Sequence, residues 1–428
     1  MMPAEAQVVG VARPVGAEEL PLLGGAFAAP ALVWRDGEVL FRGAGEAAEI
    51  SGENPADVLR TAARSPVAVE GGALLPPAPW FAGFAFDAAA PRDGWWESFP
   101  AARAFIPRLV LATSSGRASL TAYQRVGADG AGAARARADI ALRTAVSSLA
   151  PGAPPGPGPG RTVLHEDPAA WELLVAQALE VLRTGMLRKV VLARALEVEA
   201  EAPFDVARAL ERAQAGAPQA VTYAVRGPDG TTFLGASPER LVKVEGRRFA
   251  TQALAASAAP EEAERLAHSP KETREHLAVV DDIRLALDCV AERVEVAEAA
   301  PVSLGYVTHL DARITGLLRE GVAPWEAALA LHPTAAVGGV PRDRARDFLR
   351  SHERLARGWY AGAVGWVGAE AVDLRVALRC ALLRGRTARL FVGAGLVEGS
   401  TARGEWAETR RKAAPMLEAL LGEGRWQP

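Results

Sequence analysis

Residues 150–160 read APGAPPGPGPG, with proline or glycine at most positions. Proline removes a backbone donor and glycine weakens any regular element, so this stretch can be neither a helix nor a central strand. It divides the 428-residue chain into a β-rich part, 1–149, and a longer part, 161–428. In the first part, ALVWRDGEVLFRG (31–43) sets Asp-Gly between two short apolar runs, the pattern of a β-hairpin. WFAGFAFD (80–87) and FIPRLVLATSSGRASLTAYQRV (105–126) predict further strands, and ARARADIALRTAVSSL (134–149) a helix.

In the second part, Asp167 as N-cap, Pro168 at the first helical position and Gly185 at the far end delimit a helix. A strand in MLRKVVLARALEVEA (186–200) follows, then a helix over 203–215 and strands in AVTYAVRG, TTFLGAS and RLVKVEGRRFATQAL. SPKETREHLAVVDDIRLALDCVAERV (269–294) predicts one helix, opened by a Ser269–Glu272 capping box. Strands in YAGAVGWVG, LRVALRCALL and ARLFVGAGLV precede a last helix over 402–421. Strands joined by short turns, with helices interspersed and no βαβ rhythm, predict a large α+β domain.

Composition narrows the function classes. Hydrophobic residues at 50% and charged residues at 23% suit a soluble chain with a real core. A net charge of −3 supplies no field for holding a polyanion, so no nucleic-acid partner is expected. No run of about 18 apolar residues predicts a membrane span, and MMPAEAQVVGVARPVGAEEL does not have the pattern of a secretory signal. Cys289 and Cys380 have no metal-type spacing, which argues against a zinc knuckle or disulfide framework. The expected setting is cytoplasmic.

Three groups of residues are candidates for chemistry. Period-two alternation puts Lys189, Val191 and Ala193 on one face of their strand, and Val190, Leu192 and Arg194 on the other. Lys189 and Arg194 either mark the two ends of a buried strand and snorkel to water, or Lys189 is a partly desolvated general base. On the 269–294 helix, at about 100° per residue, Glu275 and Asp282 flank the apolar stripe of Val279, Ile283, Leu287 and Val290, while Asp281 and Asp288 point away. On the last helix Glu405, Glu408 and Lys412 border the stripe of Trp406, Ala413, Leu417 and Leu420, while Arg411 and Glu418 face away. These acids are either solvated partners of i,i+4 lysines or oxygen ligands converging on a hard cation, for which Mg²⁺ is the natural choice. Finally, the glycines of LHPTAAVGGVP (331–341) and FVGAGLVEGS (391–400) do not fit a dinucleotide fingerprint. They serve either as turns or as places where backbone N–H groups approach an anion.

Read together, RKVVLAR, FLGASPERL, TQALAAS, SPKETREHLAVVDDI, HPTAAVGGVP, RGWYAGAVGW, LRCALL, FVGAGLVEGS and GEWAETRRK occur in an order that resembles the chorismate-binding enzymes. That family includes isochorismate, salicylate, anthranilate and aminodeoxychorismate synthases. The resemblance spans about 161–422, and GFAFD before the Pro/Gly segment is similar to the N-terminal region of the water-using members. It implies a large mixed, mainly antiparallel two-sheet core with surrounding helices, the aminodeoxychorismate synthase-like fold. Members that add water carry lysine where this chain has Lys189; ammonia-using members usually carry glutamine. Aminodeoxychorismate synthases place a nucleophilic lysine where this chain has Ala255.

The resemblance therefore implies addition of water at C2 of chorismate with loss of the C4 hydroxyl, giving isochorismate for menaquinone or siderophore synthesis. A salicylate-forming lyase is the nearest alternative, and anthranilate formation a more distant one. Lys189 is expected as base and Glu239 as acid. Glu275 and Glu408 are expected to hold Mg²⁺, with Glu405 as a direct or water-mediated ligand. Arg379 and Lys412 are expected on the substrate carboxylate, and Ala256, Ala335, Gly393 and Gly395 along the pocket. No glutaminase subunit is expected, and a monomer or weak dimer is. Glycine and threonine usually stand where this chain has Ala256 and Ser257; the backbone contact survives at Ala256 only with a negative φ.

Overall fold

The computed structural model describes residues 7–27, 30–72, 74, 79–147, 158–258, 263–303 and 308–422. Most of the Pro/Gly segment, and residues 148 and 149 of the helix expected over 134–149, lie outside them. Local sequence chemistry sets the first hairpin: Leu32–Asp36 pairs antiparallel with Val39–Ala44, Asp36 opposite Val39, and Gly37 takes a φ of 58° in the turn.

Among the described residues the strands form two large, mainly antiparallel sheets, of thirteen and ten strands. Both draw on either side of the Pro/Gly segment. Leu32–Asp36 pairs with Val221–Arg226 in the first sheet, and Trp80–Phe84 pairs with Ala363–Val367 in the second. Between the sheets lies the principal core. Trp34 and Phe41 of the first sheet meet Phe81 and Trp366 of the second edge-to-face, with centroids 5.5–6.3 Å apart. The α+β, two-sheet expectation holds.

Helix signals read from sequence mostly hold. Asp167 accepts from the Ala170 N–H to start Pro168–Arg183, and Ser269 accepts from the Glu272 N–H to start Pro270–Leu287. Three boundaries differ. The helix expected from 134 starts at Gly130. The helix expected from 203 starts at Val206, where Asp205 caps the Arg208 N–H. The helix expected over 269–294 stops at Leu287, and Ala291–Val296 is instead a strand paired with Thr308–Leu318. No glycine or proline marks that stop, so the pairing partner decides it.

Six elements frame a cleft. Strand Lys189–Ala200 pairs with Thr387–Leu396 over Val190↔Leu396 to Glu199↔Thr387. Helix Ala402–Leu421 packs on the second of these strands. Opposite, strand Arg248–Ala258 pairs with Thr308–Leu318, and helix Pro270–Leu287 packs against it.

Candidate active site

The cleft is lined by residues of all these elements, and Lys189 stands in its wall. Lys189 is 2% exposed, and its Nζ donates to Glu275 Oε1 at 2.7 Å. It does not snorkel. Nor does Arg194 at the far end of the motif, which is buried, donates to Glu166 and Thr409, and lies 3.7 Å from the Trp406 ring centroid. Gly395 on the neighbouring strand explains how the pair fits. A Cβ there would come within 3.0 Å of both Glu275 Oε1 and Lys189 Cε.

Glu239 borders the same cleft from the turn after strand Thr232–Ser237, and is 4% exposed. Its backbone is fixed on both sides, its N–H donating to Ser237 Oγ and its carbonyl accepting from the Val376 N–H. Burial pushes its carboxyl up to about 8, against the opposing pull of Lys189, Lys412 and Arg379; Asp311 pushes the same way as burial. At neutral pH it is a protonated acid. Arg379, half-buried and in the left-handed region at φ 47°, reaches the cleft from the turn between Ala371–Val376 and Cys380–Arg384. Lys412 donates to Glu408 and to the Gly393 carbonyl.

Ala256 sits at a β-bulge with φ 57°, so the condition of a negative φ is not met. Its carbonyl instead partners Nδ1 of His309 at 3.0 Å, and His309 Nε2 lies 3.3 Å from Arg379 Nη2. With Nδ1–H donating to Ala256, Nε2 is the acceptor that Arg379 needs. Burial and the nearby cations hold this histidine neutral. His309 was not anticipated from sequence, because its partners are 53 and 70 residues away. Tyr360 was also missed. It lines the cleft, and its hydroxyl lies 2.8 Å from where a Cβ on Gly393 would be.

The expected site residues divide. Lys189, Glu239, Ala256, Glu275, Arg379, Gly393, Gly395, Glu408 and Lys412 all line the one cleft. Ala335 does not; its N–H donates to Asp282, which is itself clasped by Arg342, while Ala336 and Val337 form the wall. The N–H groups of Val337 and Gly338 turn back to the Thr334 carbonyl, so this loop does not offer them to an anion. Glu405 is buried in the first turn of its helix, outside the cleft lining.

Among the described residues no three metal-ligating side chains gather into a cage. Of the carboxylates that face the cleft, Glu275 and Glu408 are hard oxygen donors on two helices, and Gly395 leaves the first of them room. That set fits Mg²⁺, which takes one or two carboxylates and completes its shell with substrate oxygens and water.

Residues 35–421 match the family model described as "Chorismate binding enzyme". The chain is 32% identical over 413 residues to the salicylate biosynthesis isochorismate synthase of Pseudomonas aeruginosa, spanning 92% of this chain and 86% of that protein. It is 32% identical over 356 residues to the isochorismate synthase MenF of Bacillus subtilis, spanning 81% and 75%. Among solved structures, the menaquinone-specific isochorismate synthase MenF of Escherichia coli superposes with a TM-score of 0.79 at 26% identity, spanning 98% of this chain and 96% of that one.

Proposed function

The chain belongs to the chorismate-binding enzyme family, and from that premise we propose that it is an isochorismate synthase, turning chorismate into isochorismate. One observation carries the reading: Lys189 shares a single cleft with Glu239, an acid that keeps its proton at neutral pH. The reaction needs such a pair, because one water loses a proton as it attacks and another leaves carrying one.

Lys189 takes a proton from water as its oxygen bonds to C2. The ring double bonds shift, the C4–O bond breaks, and Glu239 gives its proton to the departing hydroxyl, which leaves as water. The proton gained by Lys189 and that lost by Glu239 balance, so turnover ends once the two are exchanged. Arg379 and Lys412 bind the substrate's carboxylate charge, Arg379 as a fork held by His309. Gly393, Gly395 and Ala256 shape the wall around the ring. Glu275 and Glu408 would hold Mg²⁺, with Glu405 as a direct or water-mediated ligand; when bound, the cation would supply positive charge against a substrate carboxylate.

Water as nucleophile calls for no glutaminase subunit, and the same reading sets the enzyme in the cytoplasm, feeding menaquinone or siderophore synthesis. Among the described residues no helix is long and apolar enough to cross a membrane. Incubating the protein with chorismate and Mg²⁺ alone, and identifying the products by mass spectrometry, tests the function. Isochorismate is expected. Salicylate with pyruvate would make it a lyase, and ammonia-dependent anthranilate would remove Lys189 from its role as base.

A further inference from the structure

The strand that carries Lys189 has a complete partner on one edge and a broken one on the other. Thr387–Leu396 pairs with it from Val190 to Glu199. On the opposite edge residues 338–340 serve Arg188 to Val191, the Val340 carbonyl accepting from the Arg188 N–H and the Gly338 carbonyl from the Val191 N–H, and Thr162–His165 joins only from Glu197 onward. The edge between them borders the cleft through Val191.

Two side chains from outside the sheet serve that edge. Arg357 Nη2 donates to the Val191 carbonyl at 2.7 Å, and Glu353 Oε2 accepts from the Ala193 N–H at 2.8 Å. Each supplies a rung that a neighbouring strand would otherwise provide. The two also bind each other through Arg357 Nε to Glu353 Oε1 at 2.6 Å and Nη2 to Oε2 at 2.8 Å. Arg357 Nη1 reaches on to the Val337 carbonyl at 2.9 Å, holding the loop that forms the next stretch of cleft wall. Its own carbonyl accepts from the N–H of Tyr360, another lining residue. Both side chains are 4% exposed, and the guanidinium rests 4.3 Å from the Phe86 ring centroid.

We infer that the Arg357–Glu353 pair is a surrogate strand, a positioning device that locks the Lys189 strand, the Val337 loop and Tyr360 into one fixed cleft wall. Neither residue touches the cleft itself. A buried ion pair is a poor source of stability compared with apolar side chains of the same volume, so stability alone gives little reason for it. Apolar side chains could fill the space, but they could not accept from Ala193 or donate to Val191 and Val337. A shift of about 1 Å in a reacting group costs on the order of a hundredfold in rate.

The inference rests on reading Lys189 as the base, and the test separates the two. The double variant Arg357→Met/Glu353→Met removes both charges together and keeps the volume, so no orphaned charge is buried. It leaves the Ala193 N–H and the Val191 and Val337 carbonyls without these partners, so Tm is expected to fall, while in the folded variant kcat falls about a hundredfold and KM for chorismate rises less than tenfold. A folded double variant with kcat and KM within about threefold of wild type would overturn the inference. Should that variant not fold, Arg357→Lys decides: it keeps the charge and loses the fork. A drop in kcat of tenfold or more is expected, and unchanged kcat overturns the role. If wild type makes isochorismate and the variants match it, the positioning role falls and the function stands. If wild type makes a different chorismate product and the variants lose that turnover with the same split, the function falls and the positioning role stands.

Discussion

Glu239 keeps its proton into the alkaline range because burial outweighs the three cations around it. As the acid it must be protonated, so kcat/KM should fall roughly tenfold per pH unit above about 8. A profile level to pH 10 would remove it from that role. Glu239→Gln should lose about 10²–10⁴-fold in kcat. Stability carries the same signature with a definite sign. The folded value of about 8 lies above the ordinary 4.5, so the folded state binds the extra proton between them. Glu239 therefore weighs least on stability below 4.5, and increasingly as pH rises through 8. The Tm advantage of Glu239→Gln over wild type should widen from pH 5 to pH 9. At this scale the sequence was legible for placement: Lys189 and Glu239, singled out on named motifs, both line the cleft. It was not legible for His309, Arg357 or Glu353. Their work is done on carbonyls and N–H groups 20–166 residues away, and no local pattern records such a partner.

Helical phase was readable because it depends only on spacing. Val279, Ile283 and Leu287 are buried, Asp281 and Asp288 are exposed, and Glu275 lies at the border facing the cleft, as about 100° per residue requires. On the last helix the same geometry puts Glu408 and Lys412 on the cleft. Spacing does not say how far along its axis a helix meets the site, and so Glu405 shares their side of the helix without lining the cleft. Nor did it foresee that 291–296 leaves the helix to join a sheet edge, since strand pairing there overrides local preference. If the two border carboxylates hold the cation, Glu275→Ala or Glu408→Ala should raise the Mg²⁺ concentration for half-maximal activity at least about tenfold. Asp288→Ala, on the far face of the same helix as Glu275, should leave that titration unchanged. An unaltered Mg²⁺ dependence in both glutamate variants would remove them as ligands.

Across the whole molecule, the Pro/Gly segment marks a break in the chain that the sheets ignore. Val221–Arg226 needs Leu32–Asp36 as a neighbour, and Ala363–Val367 needs Trp80–Phe84. Residues 161–428 produced alone should therefore be insoluble and inactive, and co-production with 1–149 should restore soluble, chorismate-converting protein. An active 161–428 fragment would show that the shared pairings are dispensable. Two sheets laced together in this way leave no hinge between the halves. Access to the cleft therefore cannot depend on one half swinging away from the other, which would break both sheets. In native-state hydrogen exchange, amides of the Leu32–Asp36 and Val221–Arg226 pair and of the Trp80–Phe84 and Ala363–Val367 pair should open together, only in global unfolding, whatever occupies the cleft.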